Sequence, residues 1–182
     1  MPITNLGSGE VTATEVLIAK SYVNQNPTGL GLANAIQVSF GGAQTSDDGC
    51  LSIDANGTIT KLKPCPQLVV EVDVRLGRVG TAQKAILVGW QEIALDGVNF
   101  AQLPTGDSVV LEFDVANVAN REVFHIQIDE VFPVGGKIKL LMARDESGID
   151  EGGILVGTPT ATLSGLNQAP STSISVSVVT SD

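Results

Sequence analysis

The sequence predicts an all-β fold, an antiparallel sandwich or jelly roll with an extended N-terminal arm. Apolar and polar residues alternate strictly over residues 70–75 and 111–115, which is the period of a strand with one buried and one wet face. The same alternation recurs at residues 124–129, 137–140 and 174–178. Turn residues rather than helical periods separate these strands, which favours an antiparallel arrangement over a parallel α/β sheet.

The predicted strands are separated by residues that favour chain reversal. Asn56-Gly57, Asp96-Gly97 and Gly135-Gly136 supply the positive φ or the side-chain capping that a tight turn needs, and residues 105–107 form a similar signal. Many short strands with such turns between them are typical of a sandwich or jelly roll.

Composition and charge predict a buried core and limit the range of partners. The chain has 182 residues, of which 43% are hydrophobic and 16% charged, so it can bury a sizeable core. The formal net charge is −10, and the first 60 residues contain one Lys and no Arg, so we expect no nucleic-acid partner. No apolar run approaches a membrane span and no secretory signal begins the chain, so we expect no membrane partner either.

The beginning of the chain differs from the rest. Residues 1–34 are predicted to be an arm that docks on a partner or a capsid, and residues 35–182 to be the jelly-roll domain. The arm ends in a turn-rich stretch at residues 24–31.

An apolar cluster in the arm supplies the candidate partner-binding residues, Val16, Leu17, Ile18, Tyr22 and Val23. Two interpretations remain open for them. They pack as an additional strand on their own domain, or they lie on another subunit or molecule.

No arrangement of side chains in the sequence identifies a reaction. The single histidine, His125, excludes mechanisms that need two imidazoles, and its position on the polar side of a strand favours a surface residue. No nucleophile elbow, phosphate loop or dinucleotide fingerprint is present. We therefore expect no enzymatic activity, no catalytic residue and no cofactor.

Three further features have structural explanations that we favour over functional ones. Cys50 and Cys65 are too few for a disulfide scaffold or a four-ligand zinc site, and two reduced thiols are favoured over a disulfide. The acidic segment 145–153 would suit a hard cation, but it matches no calcium-loop spacing, so we favour a solvated loop and expect no metal. Trp90 is interpreted as a core or interface anchor rather than a sugar platform.

The order of the predicted elements carries a resemblance. The elements are a short strand at residues 36–40, a pair at 50–53 and 57–60, a long strand at 68–76, turn-and-strand elements at 103–111 and 131–140, and a closing strand with Ile174, Val176 and Val178. This order resembles the jelly roll of the complement C1q and tumour necrosis factor type, over residues 35–180. The chain departs from the animal members because it lacks a collagen stalk and has only 4% aromatic residues.

The resemblance implies a homotrimer, since members of this fold typically trimerise. Residues Ile174, Val176 and Val178 are the implied trimer interface, because the Ser-rich closing strand would lie near the symmetry axis. Bacteriophages use such domains as capsid decoration proteins, head fibres and tail-fibre tips, and the arm with residues 16–18 and 21–23 resembles the anchoring arm of a phage decoration protein.

The function implied by this resemblance is structural. We expect a capsid decoration, or cement, protein on the exterior of a phage head, made in the host cytoplasm and bound to the major capsid protein or another virion protein. Trimerisation and docking of the arm would stabilise the head. The alternative is a receptor-binding or fibre module of a phage particle.

Overall fold

The computed structural model describes residues 12–47, 49–64, 67–79, 85–101, 110–115, 120–128, 132–144, 151–154 and 172–180. In chain order the strands are β1 (Thr12–Ser21), β2 (Ile36–Gln37), β3 (Gln44–Thr45), β4 (Leu51–Ile53), β5 (Ile59–Lys61), β6 (Gln67–Val79), β7 (Ala85–Ala94), β8 (Val110–Val115), β9 (Asn120–Ile128), β10 (Lys137–Arg144), β11 (Glu151–Ile154) and β12 (Thr172–Thr180). A single turn of 3-10 helix, Leu32–Asn34, precedes β2.

The structure confirms the predicted all-β antiparallel sandwich. Within the described ranges, sheet A has five strands: β1-β12-β6-β9 in that order, and β11, which continues beside β6 beyond the end of β12. Sheet B has seven strands in the same part of the chain: β3-β4-β5-β10-β7-β8 in that order, and β2, which continues beside β10 beyond β5. All pairings between these named strands are antiparallel.

The core lies between the two sheets. Sheet A contributes Leu17, Ala19, Val70, Val72, Val74, Leu76, Ile174 and Val176, and sheet B contributes Leu51, Ile53, Ile59, Leu87, Ile138, Leu140 and Met142. Strand β6 shows how the sequence sets this arrangement. Val70, Val72 and Val74 are buried, Glu71 between them is exposed and Asp73 is half-buried, because successive side chains of a strand point to opposite faces.

Three of the predicted turns are present in the structure. Residues 54–57 connect β4 to β5, and Gly57 there has a φ of +91°. The other two follow β7 and precede β10, where Gly97 and Gly135 also have positive φ. Each of these glycines has a left-handed backbone conformation, which a residue with a Cβ adopts only at an energetic cost. The predicted turn at residues 105–107 lies outside the described residues.

Residues 12–21 of the predicted arm form a strand of the sandwich itself. Strand β1 pairs with β12 from Thr12↔Thr180 to Ser21↔Thr172, with an irregularity between Ala13 and Glu15. In the structure this segment is an additional strand on its own domain, which is the first of the two interpretations, because Leu17 and Ala19 of β1 contribute to the core. Residues 1–11 lie outside the described residues.

The remainder of the predicted arm is also attached to the sandwich. The Gln25 side chain accepts a hydrogen bond from Ser39 N at 2.7 Å and donates one to Ser39 O at 2.9 Å. Thr172 Oγ1 in β12 donates to the same Ser39 carbonyl at 3.0 Å. These bonds join the segment after β1, the segment after β2 and sheet A. In the described chain, residues 12–34 of the predicted arm are therefore connected to the predicted domain at residues 35–182, and the boundary at residue 34 stays a prediction.

Candidate functional site

The residues that the sequence predicts to bind a partner divide between the core and the surface of the sandwich. Leu17 is buried in the core, whereas Ile18 is 55% exposed, Tyr22 51% and Val23 66%. The strand period explains the first difference, since neighbouring residues of β1 point to opposite faces. We call Ile18, Tyr22 and Val23 the arm surface. The side chain of Val16 lies outside the described part of the chain.

Two of the three residues assigned to a trimer interface, Ile174 and Val176, lie inside the subunit. Ile174 and Val176 are fully buried in the core, and Ser173 and Ser175, on the opposite face of β12, are half-buried. Ile174 pairs with Val72 of β6 in the register, and Val176 pairs with Val70. Their burial needs no second subunit, because packing between sheets A and B accounts for it. The side chain of Val178 is not described.

A second exposed apolar surface lies where three connections meet at one end of sheet B. It consists of Leu62, Leu95, Val98 and Val134, all of them exposed. We call these four residues the end patch. They follow β5, follow β7 and precede β10, and those three strand ends are close in space.

Backbone contacts hold the three connections of the end patch together. Gly135 N donates to Lys61 O at 2.8 Å, and Lys61 N donates to Gly136 O at 3.1 Å. A Cβ added to Gly97 would lie 2.4 Å from Gly135 O, so the turn after β7 packs directly against the turn before β10. The Lys61 ammonium is buried and donates to Phe132 O. The end patch therefore stands on a fixed backbone.

Asp96 organises the turn that carries Leu95 and Val98. Its Oδ1 accepts hydrogen bonds from Val98 N at 2.9 Å and Asn99 N at 2.7 Å, and its Oδ2 accepts one from Asn99 Nδ2 at 2.6 Å. The hydrogen bonds from the backbone of Asn99 and Val98 and from the Asn99 side chain lower the pKa of the Asp96 carboxyl below its ordinary value. The ionised side chain thus fixes the turn.

The sequence pattern did not predict the end patch as a surface. Its residues are separated along the chain, and none belongs to an alternating run, so hydrophobic periodicity does not detect them. A signal was nevertheless present, because Leu95, Val98 and Val134 are aliphatic residues inside or beside turn sequences, where polar residues are usual.

The described side chains do not form an arrangement for catalysis or metal binding. No group of three or more His, Cys, Asp or Glu side chains comes together within the described ranges. His125 pairs with Glu71 in the register of β9 and β6, but its side chain is not described. Cys50 is buried in the core, and Cys65 and residues 145–150 of the acidic segment lie outside the described residues.

Strands β7 and β10 of sheet B contain several charged and polar groups in buried settings. Lys139 Nζ lies 2.6 Å from Glu92 Oε2 and 4.2 Å from the centre of the Phe100 ring. Trp90 is buried, in agreement with its interpretation as an anchor, and its Nε1 has no hydrogen-bond partner among the described residues. These contacts join strands and cover apolar surface, and they include no nucleophile with an adjacent base.

Comparison with known proteins leaves the family open. The chain matches no protein-family model, and a search of curated proteins finds no similar sequence. In the described part of the chain, no helix has the length and apolar character needed to cross a membrane.

Proposed function

We propose that this chain is a virion structural protein, a capsid decoration or cement protein that stabilises a phage head. The observation that carries the proposal is the arm surface. Ile18, Tyr22 and Val23 are exposed apolar side chains, and the connection that bears Tyr22 and Val23 is tied to sheet A through Gln25. Exposed apolar side chains on a fixed framework suit docking on another protein.

The strand order supports the jelly-roll part of the proposal. When β2–β5 are counted as one strand and β11 is left out, eight strands remain. Sheet A then has the order 1-8-3-6, and sheet B has the order 2-7-4-5. Consecutive strands lie in different sheets, except strands 4 and 5, which form a pair within sheet B; this is the arrangement of a double-sheet jelly roll.

The size of the arm surface favours a multivalent assembly. Burying three side chains at about 1.5 kcal/mol each gives roughly 4–5 kcal/mol before the cost of association is subtracted. One such contact is weak. A homotrimer that presents three copies of the arm surface would gain from avidity, which fits the expected homotrimer bound to a major capsid protein.

The test compares the native chain with a variant that keeps β1 intact. Ile18→Ser, Tyr22→Ser and Val23→Ser together remove the apolar surface and leave Leu17 and Ala19 in the core. Particles stripped of this protein are mixed with each purified chain and sedimented. We expect the native chain to sediment with the particles and the triple variant to stay in the supernatant. Equal sedimentation of both would place the docking surface elsewhere, and absence of the chain from purified particles would refute the virion role.

A receptor-binding or fibre module is the second candidate, and the end patch favours it. The end of a β-sandwich presents loops from several strands, which is where recognition surfaces of such folds commonly lie. A Leu62→Ser/Val134→Ser variant separates the two functions. Loss of adsorption to host cells with unchanged binding to particles would support the recognition role.

A further inference from the structure

A shallow depression lies at the edge of sheet B that β3 forms. Its volume is about 340 Å³, and its polar lining consists of Gln44, Thr45, Ser52, Asp54 and Thr60. The residues come from β3, β4, β5 and the turn between the last two strands. The lining therefore offers three hydroxyls, one amide and one carboxylate within a single site.

Strand register places the three hydroxyl residues in a row. Thr45 pairs with Ser52, and Ser52 pairs with Thr60. Ile53 and Ile59, the neighbours of Ser52 and Thr60 on the opposite face, are buried in the core, so the row lies on the outer face of sheet B. None of the three hydroxyls has a hydrogen-bond partner in the part of the chain that the structure describes.

The spacing of the row suits a ligand that carries hydroxyl groups. Adjacent strands are about 4.8 Å apart. An oxygen placed between two side-chain hydroxyls, about 2.8 Å from each, bridges a gap of up to about 5.6 Å. Two ligand oxygens can therefore bind to the row, one between Thr45 and Ser52 and one between Ser52 and Thr60. These two positions are about one strand spacing apart. Each hydroxyl can donate and accept, as the hydroxyl of a sugar can.

The Asp54 carboxylate adds a fixed acceptor to the depression. Its Oδ1 accepts hydrogen bonds from Asn56 N at 2.9 Å and Thr58 N at 2.8 Å, which hold the side chain in place. No hydrogen bond to Oδ2 occurs among the described residues. A carboxylate oxygen accepts strongly from a ligand hydroxyl, and the bond is stronger because it is charge-assisted.

We propose that this depression binds a neutral saccharide. An anion is disfavoured because the site contains a carboxylate and the chain carries a net charge of −10. A hard cation would need more than one carboxylate, and Asp54 supplies the one carboxylate that the described residues place in the lining. A rigid sugar ring presents several hydroxyls at fixed spacing, so it loses little conformational entropy when it binds.

This site differs from a site built on aromatic stacking. The described residues of the lining include no aromatic side chain, and Trp90 is buried in the sheet. Hydrogen bonds to hydroxyls each contribute modestly, so we expect a dissociation constant on the order of 1–10 mM for a single sugar. The inference is independent of the virion role.

Saturation-transfer difference NMR tests the proposal with the full chain. The probes are D-glucose, D-galactose, D-mannose and N-acetyl-D-glucosamine, each at about 10 mM. The variant Ser52→Ala/Thr60→Val removes two hydroxyls of the row. The matched control is Thr28→Val, which removes an exposed hydroxyl outside the depression.

We expect saturation transfer from the native chain and from Thr28→Val to at least one of the sugars, and binding about tenfold weaker or more in the double variant. Transfer to none of the four sugars, equal transfer in the double variant, or equal loss in the control overturns the proposal. If the double variant does not fold, Thr45→Val replaces it, because Thr45 is exposed on the edge strand. That variant should weaken binding about two- to tenfold, and unchanged binding would also refute the site.

Discussion

The central strands of the two sheets bury their residues in different ways. In sheet A, β6 and β12 bury one face, since Val72 and Val176 are in the core while Glu71 is exposed. In sheet B, β7 buries three consecutive residues, Trp90, Gln91 and Glu92, although neighbouring residues point to opposite faces. Sheet A therefore has a wet outer face, and the centre of sheet B is covered on both faces.

Burial of both faces of a strand affects the polar side chains that the strand contains. A strand that is buried on both faces must satisfy every polar side chain it contains. Glu92 meets this requirement through Lys139, whereas Gln91 Oε1 and Trp90 Nε1 have no hydrogen-bond partner among the described residues. In sheet A, the buried Thr172 donates a hydrogen bond to Ser39 O, and Ser175 and Glu71 face outward, where water can reach them.

The largest expected effect comes from placing a charge on the buried face of β12. Val176→Asp puts a carboxylate between the sheets, so we expect a loss of about 4 kcal/mol in the free energy of unfolding, enough to unfold much of the protein. Ser175→Thr, on the outer face of the same strand, should change it by less than about 0.5 kcal/mol. Urea unfolding measures both. A Val176→Asp protein that stays folded but dissociates into monomers would instead support the trimer interface that the sequence analysis assigned to this strand.

The next effect concerns the short strands of sheet B. A Cβ added to Gly57 would lie 2.1 Å from Val38 O, and the residue has a positive φ. Gly57→Ala should therefore destabilise the protein by about 3 kcal/mol, through backbone strain and displacement of the Val38 segment. Gly42→Ala is the control, because no atom lies within 4 Å of its added Cβ. Equal thermal midpoints for the two variants would show that the turn adjusts freely.

A smaller effect should distinguish the outer faces of the two sheets. Lys139→Met leaves Glu92 largely buried without its cation, so we expect a loss of about 2 kcal/mol. The double variant Lys139→Met/Glu92→Leu should recover much of that loss. Lys20→Met removes an exposed lysine from sheet A and should cost less than about 0.5 kcal/mol. Similar losses from Lys139→Met and Lys20→Met would contradict the contrast between the sheets.

The smallest effect is expected at Asp96, which is exposed beyond the end of β7. Because hydrogen bonds lower the pKa of its carboxyl in the folded state below 3.8, the ionised group stabilises the turn above that pH. This contribution disappears as the pH falls through the lowered pKa. The thermal midpoint of the native chain should exceed that of Asp96→Asn at neutral pH, and the difference should narrow in acid. A difference that does not depend on pH would mean that ionisation is unimportant.

The sequence predicted the strands with one wet face better than strand β7, for a physical reason. Strict alternation at residues 70–75 and 174–178 reflects one wet face, which is a strong signal in a single chain. Residues 86–90, from Ile86 to Trp90, do not alternate because β7 is covered on both faces, so periodicity cannot assign them a side. The end patch was not predictable, since it forms only when three distant turns meet. The sequence identified Ile18, Tyr22 and Val23 of the arm surface, but it grouped them with Leu17. The strand period accounts for the difference, because it buries Leu17 in the core and exposes Ile18.

The position of β12 between β1 and β6 also affects how the chain folds during synthesis. Strand β1 ends at Ser21, and the strand with which it pairs begins at Thr172, about 150 residues later. At roughly 5–20 residues per second, β1 waits on the order of 10–30 s on the ribosome for its neighbour. Sheet A is therefore completed only after β12 emerges, and pairing at such sequence separation is slow. Until then β1 lacks the strand with which it pairs, so its unpaired edge and apolar residues are open to aggregation during this interval.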